Sequence, residues 1–135
     1  MSDIRKVGAL LIRDGRMLLI SASADPTVYS MPGGPKPPPN SRTTPEQALA
    51  EHLAAELGVT LTSAEPHVRT EVVSGIDGAT VQSNIYRAEI DGEPRAVQSG
   101  RRIVWADATT DVKVSTTVRE VMADAAARGL VRGGA

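Results

Sequence analysis

Three leucines set the clearest period in the chain. Leu49, Leu53 and Leu57 recur every fourth residue, the spacing that gathers side chains on one face of an α-helix. The segment carries its own boundaries. Thr44 can cap it, Pro45 suits the first helical position, and Gln47 stands where a capping box places its returning amide. Gly58 offers a left-handed exit after Leu57. The pattern therefore predicts a helix over 45–57. At about 100° per residue, Glu56 and His52 fall beside the apolar stripe, while Glu46 and Glu51 point away from it.

Elsewhere the apolar positions read as strands. Val7 to Ile12 and Met17 to Ile20 flank Asp14-Gly15, a strong two-residue hairpin signal. Ser21 to Ser30 is a small, polar loop; Tyr29 at its end could line a pocket but is expected to pack against the helix at 45–57. Val59 to Thr62 predicts a short strand. His67 to Val73 predicts another, with Val68, Thr70 and Val72 on one face and His67, Arg69, Glu71 and Val73 on the other. Thr80 to Glu89 and Arg101 to Ala106 follow, with turns at Asp77-Gly78 and Asp91-Gly92. A last helix is expected over 115–130, with Thr117 and Glu120 at capping-box spacing and Val118, Val121, Met122 and Ala125 facing inward. Residues 131–135 read as a frayed tail.

Composition narrows the function classes. The 135 residues suit one domain, 1–135, and the net charge of −1 gives no electrostatic case for a nucleic-acid polymer or a membrane surface. No cysteine is present, which excludes disulfides, thiolate metal sites and a thiol nucleophile. No apolar run approaches the roughly 20 residues of a membrane span, and the N-terminal MSDIRK lacks a signal peptide's apolar region. A cytoplasmic protein is the expectation. With Tyr29, Tyr86 and Trp105 as its only aromatics, the core must be aliphatic, and few rings remain to stack on a base.

The candidate chemistry lies between Met31 and Val59, in MPGGPKPPPNSRTTPEQALAEHLAAELGV. A carboxylate and an imidazole four residues apart, Glu56 and His52, can approach one ion or one ligand. The stretch resembles a Nudix box, written G-x5-E-x7-R-E-U-x-E-E-x-G-U with U aliphatic. Pro32, Gly33 and Gly34 match its opening, and Ala48, Leu49, Leu53, Leu57, Gly58 and Val59 match its apolar skeleton. The polar positions depart from it. Glu51 and His52 stand where the family has Arg-Glu, Ala55 and Glu56 where it has Glu-Glu, and Thr43 where it has the earlier Glu. The loop between Gly34 and Thr43 holds eight residues, among them the consecutive Pro37, Pro38 and Pro39, a stiff extended segment.

What the resemblance implies follows from that match. The fold would be an α/β/α sandwich, a mixed β-sheet flanked by helices. The activity would be divalent-metal-dependent hydrolysis of a pyrophosphate in a nucleoside diphosphate linked to another moiety. Glu56, the Gly33 carbonyl and His52 would hold Mg2+ or Mn2+, and Glu56 and His52 would be the catalytic pair. Binding of the ion should be weak, because one carboxylate is kept where the family uses three, and imidazole prefers softer metals. An acid reaching in from a strand, Glu71 or Glu89, could compensate. Weak or altered activity is therefore expected. The alternative is a catalytically silent module that binds a nucleotide-type small molecule or a protein, in which His52 is hydrogen-bonded to Glu56 or to a loop carbonyl and needs no metal. A homodimer is compatible with either reading.

Overall fold

The computed structural model describes residues 4–22, 25–73 and 78–133. Its elements in chain order are β1 (Ile4–Leu10), β2 (Ile12–Arg13), β3 (Arg16–Ser21), β4 (Tyr29–Ser30), β5 (Gly33–Pro35), α1 (Pro45–Leu57), β6 (Thr60–Val73), β7 (Thr80–Asp91), β8 (Ile103–Ala106) and α2 (Thr116–Ala127). One sheet runs β5-β1-β7-β6, with β1 parallel to β7 and its other pairings antiparallel. The second is built on β3, which pairs β2, β4 and β8, all antiparallel.

Both faces of these strands are covered. On β3, Leu18 and Ile20 join Val7, Ala9, Leu11, Tyr86 and Ala88 against Leu49, Leu53 and Leu57 of α1. Met17 and Leu19, with Leu10 and Ile85, pack instead on Val118, Val121 and Ala125 of α2. A strand buried on both sides must be apolar at every position, which is why Val7 to Leu11 and Met17 to Ile20 read as unbroken runs rather than alternations. The result is the expected α/β/α arrangement, mixed strands between two helices. No helix among the described residues is long and apolar enough to cross a membrane.

Local chemistry explains the boundaries of α1. The Thr44 side chain accepts from the Gln47 N–H at 3.1 Å, the Gln47 side chain accepts from the Thr44 N–H at 2.9 Å, and Gly58 exits at φ 68°. Such a cap is worth about 1 kcal/mol. The Asp14-Gly15 hairpin also forms, with Arg13 opposite Arg16.

Several expectations are corrected. The strands foreseen at 59–62 and 67–73 are one strand, β6, interrupted by register shifts at Leu61/Ser63 and Pro66/Val68. An extra residue at a bulge reverses the alternation beyond it, so His67 turns inward with Val68; its side chain is 7% exposed and lies 3.3 Å from Asp124 of α2. The α2 cap is Ser115, whose hydroxyl accepts from the Val118 N–H, so Thr117 and Glu120 form no capping box. That helix stops at Ala127, because Gly129 (φ 75°) turns the chain and the Leu130 N–H returns to the Ala125 carbonyl. Val131 and Arg132 are not frayed: Val131 is buried, and Arg132 donates to the Gly15 carbonyl and accepts from the Ala108 N–H. The proline run ends in a turn, the Ser41 N–H donating to the Pro38 carbonyl at 2.9 Å. Asp77 of the foreseen Asp77-Gly78 turn lies outside the described residues. Tyr29 packs into the cluster beneath α2 rather than against α1, the helix it was expected to meet.

Candidate functional site

The glycine elbow lies across α1. Gly33 pairs with Gly8 of β1 at φ 145°, and a Cβ there would fall 2.0 Å from the Val7 carbonyl oxygen. Only glycine lets the chain turn this tightly against β1. Its N–H donates to Glu56 Oε1 at 2.8 Å. One residue on, the His52 ring lies over Gly34, where a Cβ would meet three ring atoms at 2.8–2.9 Å. His52 Nε2 is 3.0 Å from the Pro35 carbonyl. A carbonyl can only accept, so Nε2 carries the proton and His52 serves as an elbow tie.

The other carboxylate oxygen is bound as well. Arg101 Nη1 donates to Glu56 Oε2 at 2.9 Å, and both side chains are 12% exposed. Arg101 Nε and Nη2 donate to the Ser21 carbonyl at 3.0 and 2.8 Å. Charge-assisted bonds of this kind are stronger than neutral ones. Glu56 therefore holds the elbow on one side and the chain before β8 on the other.

Each residue singled out in the sequence has a definite place. Glu56, His52 and Gly33 are brought together, but Gly33 meets Glu56 with its donor N–H rather than its carbonyl. Glu51 and Ala55 are exposed on α1. Glu71 is exposed and accepts from Gln82, and Glu89 is exposed; among the described residues neither is bonded to Glu56, His52 or the elbow. Among the described residues no three His, Cys, Asp or Glu side chains converge as metal ligands. A hard divalent cation needs several free oxygen donors. Each Glu56 oxygen already accepts a hydrogen bond and His52 Nε2 is turned to a carbonyl, which leaves His52 Nδ1 and one engaged carboxylate; that donor set is too poor in oxygen to fit a magnesium or manganese centre.

Beside the elbow opens a cavity of about 670 Å³, within the size range of small-molecule sites. Among the described residues, Glu56, Arg101 and the exposed Lys6 are its charged lining, so positive charge is in excess by one there. Ser115 and Thr116, at the N-terminus of α2, form one side, and Val81 and Ile85 contribute to an apolar wall. A helix N-terminus presents unpaired N–H groups and partial positive charge to an anion. Lys6, Ser115 and Arg101 were not legible as site residues. Arg101 stands 45 residues from Glu56 in a segment that reads simply as a strand start.

No protein-family model matches the sequence, and no curated protein sequence matches it. Solved structures do. A MutT NUDIX hydrolase from Burkholderia pseudomallei superposes with TM-score 0.76 at 24% identity, over 91% of this chain and 98% of that one. The E. coli ORF135 protein gives 0.69 at 24% identity, over 95% and 94%. The NUDIX domain of Shewanella oneidensis NrtR, in complex with ADP ribose, gives 0.68 at 17% identity, over 95% and 89%. At such identities the likeness establishes architecture: this chain has the fold of the Nudix hydrolases.

Proposed function

We propose that this Nudix-fold, hydrolase-like protein binds a nucleotide-type small molecule in the cavity beside the elbow, a nucleoside diphosphate linked to another moiety, and that its Mg2+- or Mn2+-driven pyrophosphate cleavage is weak or absent. The observation that carries the reading is the double engagement of Glu56, by the Gly33 N–H and by Arg101. Each 1.36 kcal/mol lost from transition-state stabilisation slows a reaction about tenfold, so a site short of two acids and with its third engaged should be slower by orders of magnitude. Binding has better support. Lys6 and Arg101 offer positive charge, the start of α2 offers N–H groups, and the apolar wall can cover the uncharged part of a ligand.

Efficient hydrolysis is the competing reading. The position of Glu56 and His52 against the elbow favours it, as does the likeness to structures named as hydrolases. ADP-ribose, the ligand in the NrtR complex, is the natural first probe, followed by other nucleoside diphosphate derivatives. The proposal expects thermal stabilisation by one of these in EDTA and little product with Mg2+ or Mn2+. Rapid metal-dependent release that disappears in Glu56→Gln would replace it with the hydrolase reading. A panel giving neither stabilisation nor product would remove the ligand class. Sedimentation decides whether the chain forms the homodimer compatible with the fold.

A further inference from the structure

Arg101 is delivered to the elbow by a loop that α1 itself anchors. After Gly92 the chain runs back along the last turn of that helix. There the Arg95 and Val97 N–H groups donate to the Leu57 and Glu56 carbonyls at 3.1 and 3.0 Å, carbonyls that a helix end leaves without intrahelical partners. The Arg101 side chain then turns inward. Nη1 donates to Gln98 Oε1 at 3.1 Å and to Glu56 Oε2 at 2.9 Å, while Nε and Nη2 share the Ser21 carbonyl. A guanidinium has five N–H groups. The remaining one, on Nη2, has no acceptor among the described residues, and the side chain lines the cavity.

We propose that Arg101 is the resident cation of this site. Its guanidinium supplies to Glu56 the positive charge that a divalent ion would otherwise bring, excludes such an ion, and binds a phosphate oxygen of the ligand through its free N–H. The exclusion stands on the Glu56–Arg101 geometry alone; the phosphate contact rests on the ligand class proposed above. Permanence of charge is the physical core of the argument. Glutamate or histidine can shed charge by exchanging a proton, whereas arginine stays charged at any working pH. A divalent cation approaching Glu56 therefore meets a fixed like charge that cannot be titrated away. For an anionic ligand the sign reverses: the same group attracts, and its free N–H can give a phosphate oxygen a charge-assisted hydrogen bond. Glu56 then acts as a competitor for the guanidinium as well as its anchor.

Two measurements separate the halves. In the first, Mn2+ affinity is read by paramagnetic resonance on the His52→Glu/Ala55→Glu protein with and without Arg101→Gln. The restored acids alone should bind Mn2+ weakly, and removing the guanidinium should tighten binding by about tenfold or more, as expected for loss of one nearby like charge. Equal affinities would overturn the exclusion. In the second, ADP-ribose is titrated calorimetrically in EDTA. Arg101→Gln should bind about tenfold more weakly, the weight of one charge-assisted hydrogen bond. Arg101→Lys should retain most affinity, and Glu56→Gln should bind severalfold more tightly than the unaltered protein, because it frees the guanidinium. Unchanged binding in Arg101→Gln, or weaker binding in Glu56→Gln, would overturn the phosphate contact. Circular dichroism checks the fold of each variant, and if Arg101→Gln does not fold, Glu56→Gln carries the test through its sign. Failure of the unaltered protein to bind ADP-ribose or any other panel member would overturn the ligand class and the phosphate contact with it, leaving the manganese comparison to judge the exclusion.

Discussion

Replacing Arg101 by methionine keeps most of the aliphatic stem and deletes the guanidinium. The deletion removes its bonds to Glu56, Gln98 and Ser21 and leaves a carboxylate 12% exposed with the Gly33 N–H as its remaining partner among the described residues. Breaking a buried ion pair from one side costs about 3–5 kcal/mol. Because slight exposure lets Glu56 regain some water, the lower end applies, about 3 kcal/mol. Glu56→Gln is milder, since the amide oxygen can still accept from Gly33; about 2 kcal/mol is expected for losing the charged partner. The double variant strands no charge, so its cost should stay near about 3 kcal/mol, which leaves a coupling of about 2 kcal/mol within the cycle. Urea unfolding followed by circular dichroism on all four proteins reads this directly. Costs that add to within about 0.5 kcal/mol would show that the two side chains do not depend on each other, and the argument built on their pairing would fail.

Other consequences are equally specific. Gly33→Ala should cost more than about 4 kcal/mol, with the Cβ falling 2.0 Å from the Val7 oxygen, and its yield of folded protein should collapse. Leu53, fully buried beneath α1, should cost about 2–5 kcal/mol on truncation to alanine, measured as a fall in urea midpoint. The Asp107 carboxyl is held below the usual aspartate range, chiefly by the Thr109 hydroxyl, then by the Thr109 N–H, the Thr110 hydroxyl and the charge of Arg16. A lowered native pKa stabilises the fold above the ordinary value of about 3.9, and the contribution is lost as pH falls through that value toward the native one. Asp107→Asn should therefore flatten the acid limb of stability as pH falls from about 5 through the ordinary aspartate value; an acid limb identical to that of the unaltered protein would contradict this.

Local signals were the legible part of the molecule. Thr44, Pro45, Gln47 and Gly58 bound α1 through short-range hydrogen bonds, so four letters define the element. Asp14-Gly15 likewise carries its hairpin within the turn itself. His52 was legible as one of two alternatives, and it takes the loop carbonyl, Pro35. The bulge at Pro66/Val68 was not visible, because a single extra residue leaves no mark in a two-residue alternation, and His67 accordingly faced the wrong way. Ser115 is masked as a cap in the sequence because Thr117 and Glu120 mimic a box two residues later. The largest omission was Arg101. Its role arises from a loop docking on the carbonyls of α1 and from a strand pairing that brings Ser21 alongside, contacts set by tertiary packing.

Crystals soaked in Mn2+ and measured at an energy where manganese scatters anomalously put the central claim to its most direct test. The account predicts no anomalous peak within about 2.5 Å of Glu56, the outer reach of such coordination, with Arg101 still paired to the carboxylate. A peak lying between Glu56, His52 and the Gly33 carbonyl, with the guanidinium swung away, would contradict it.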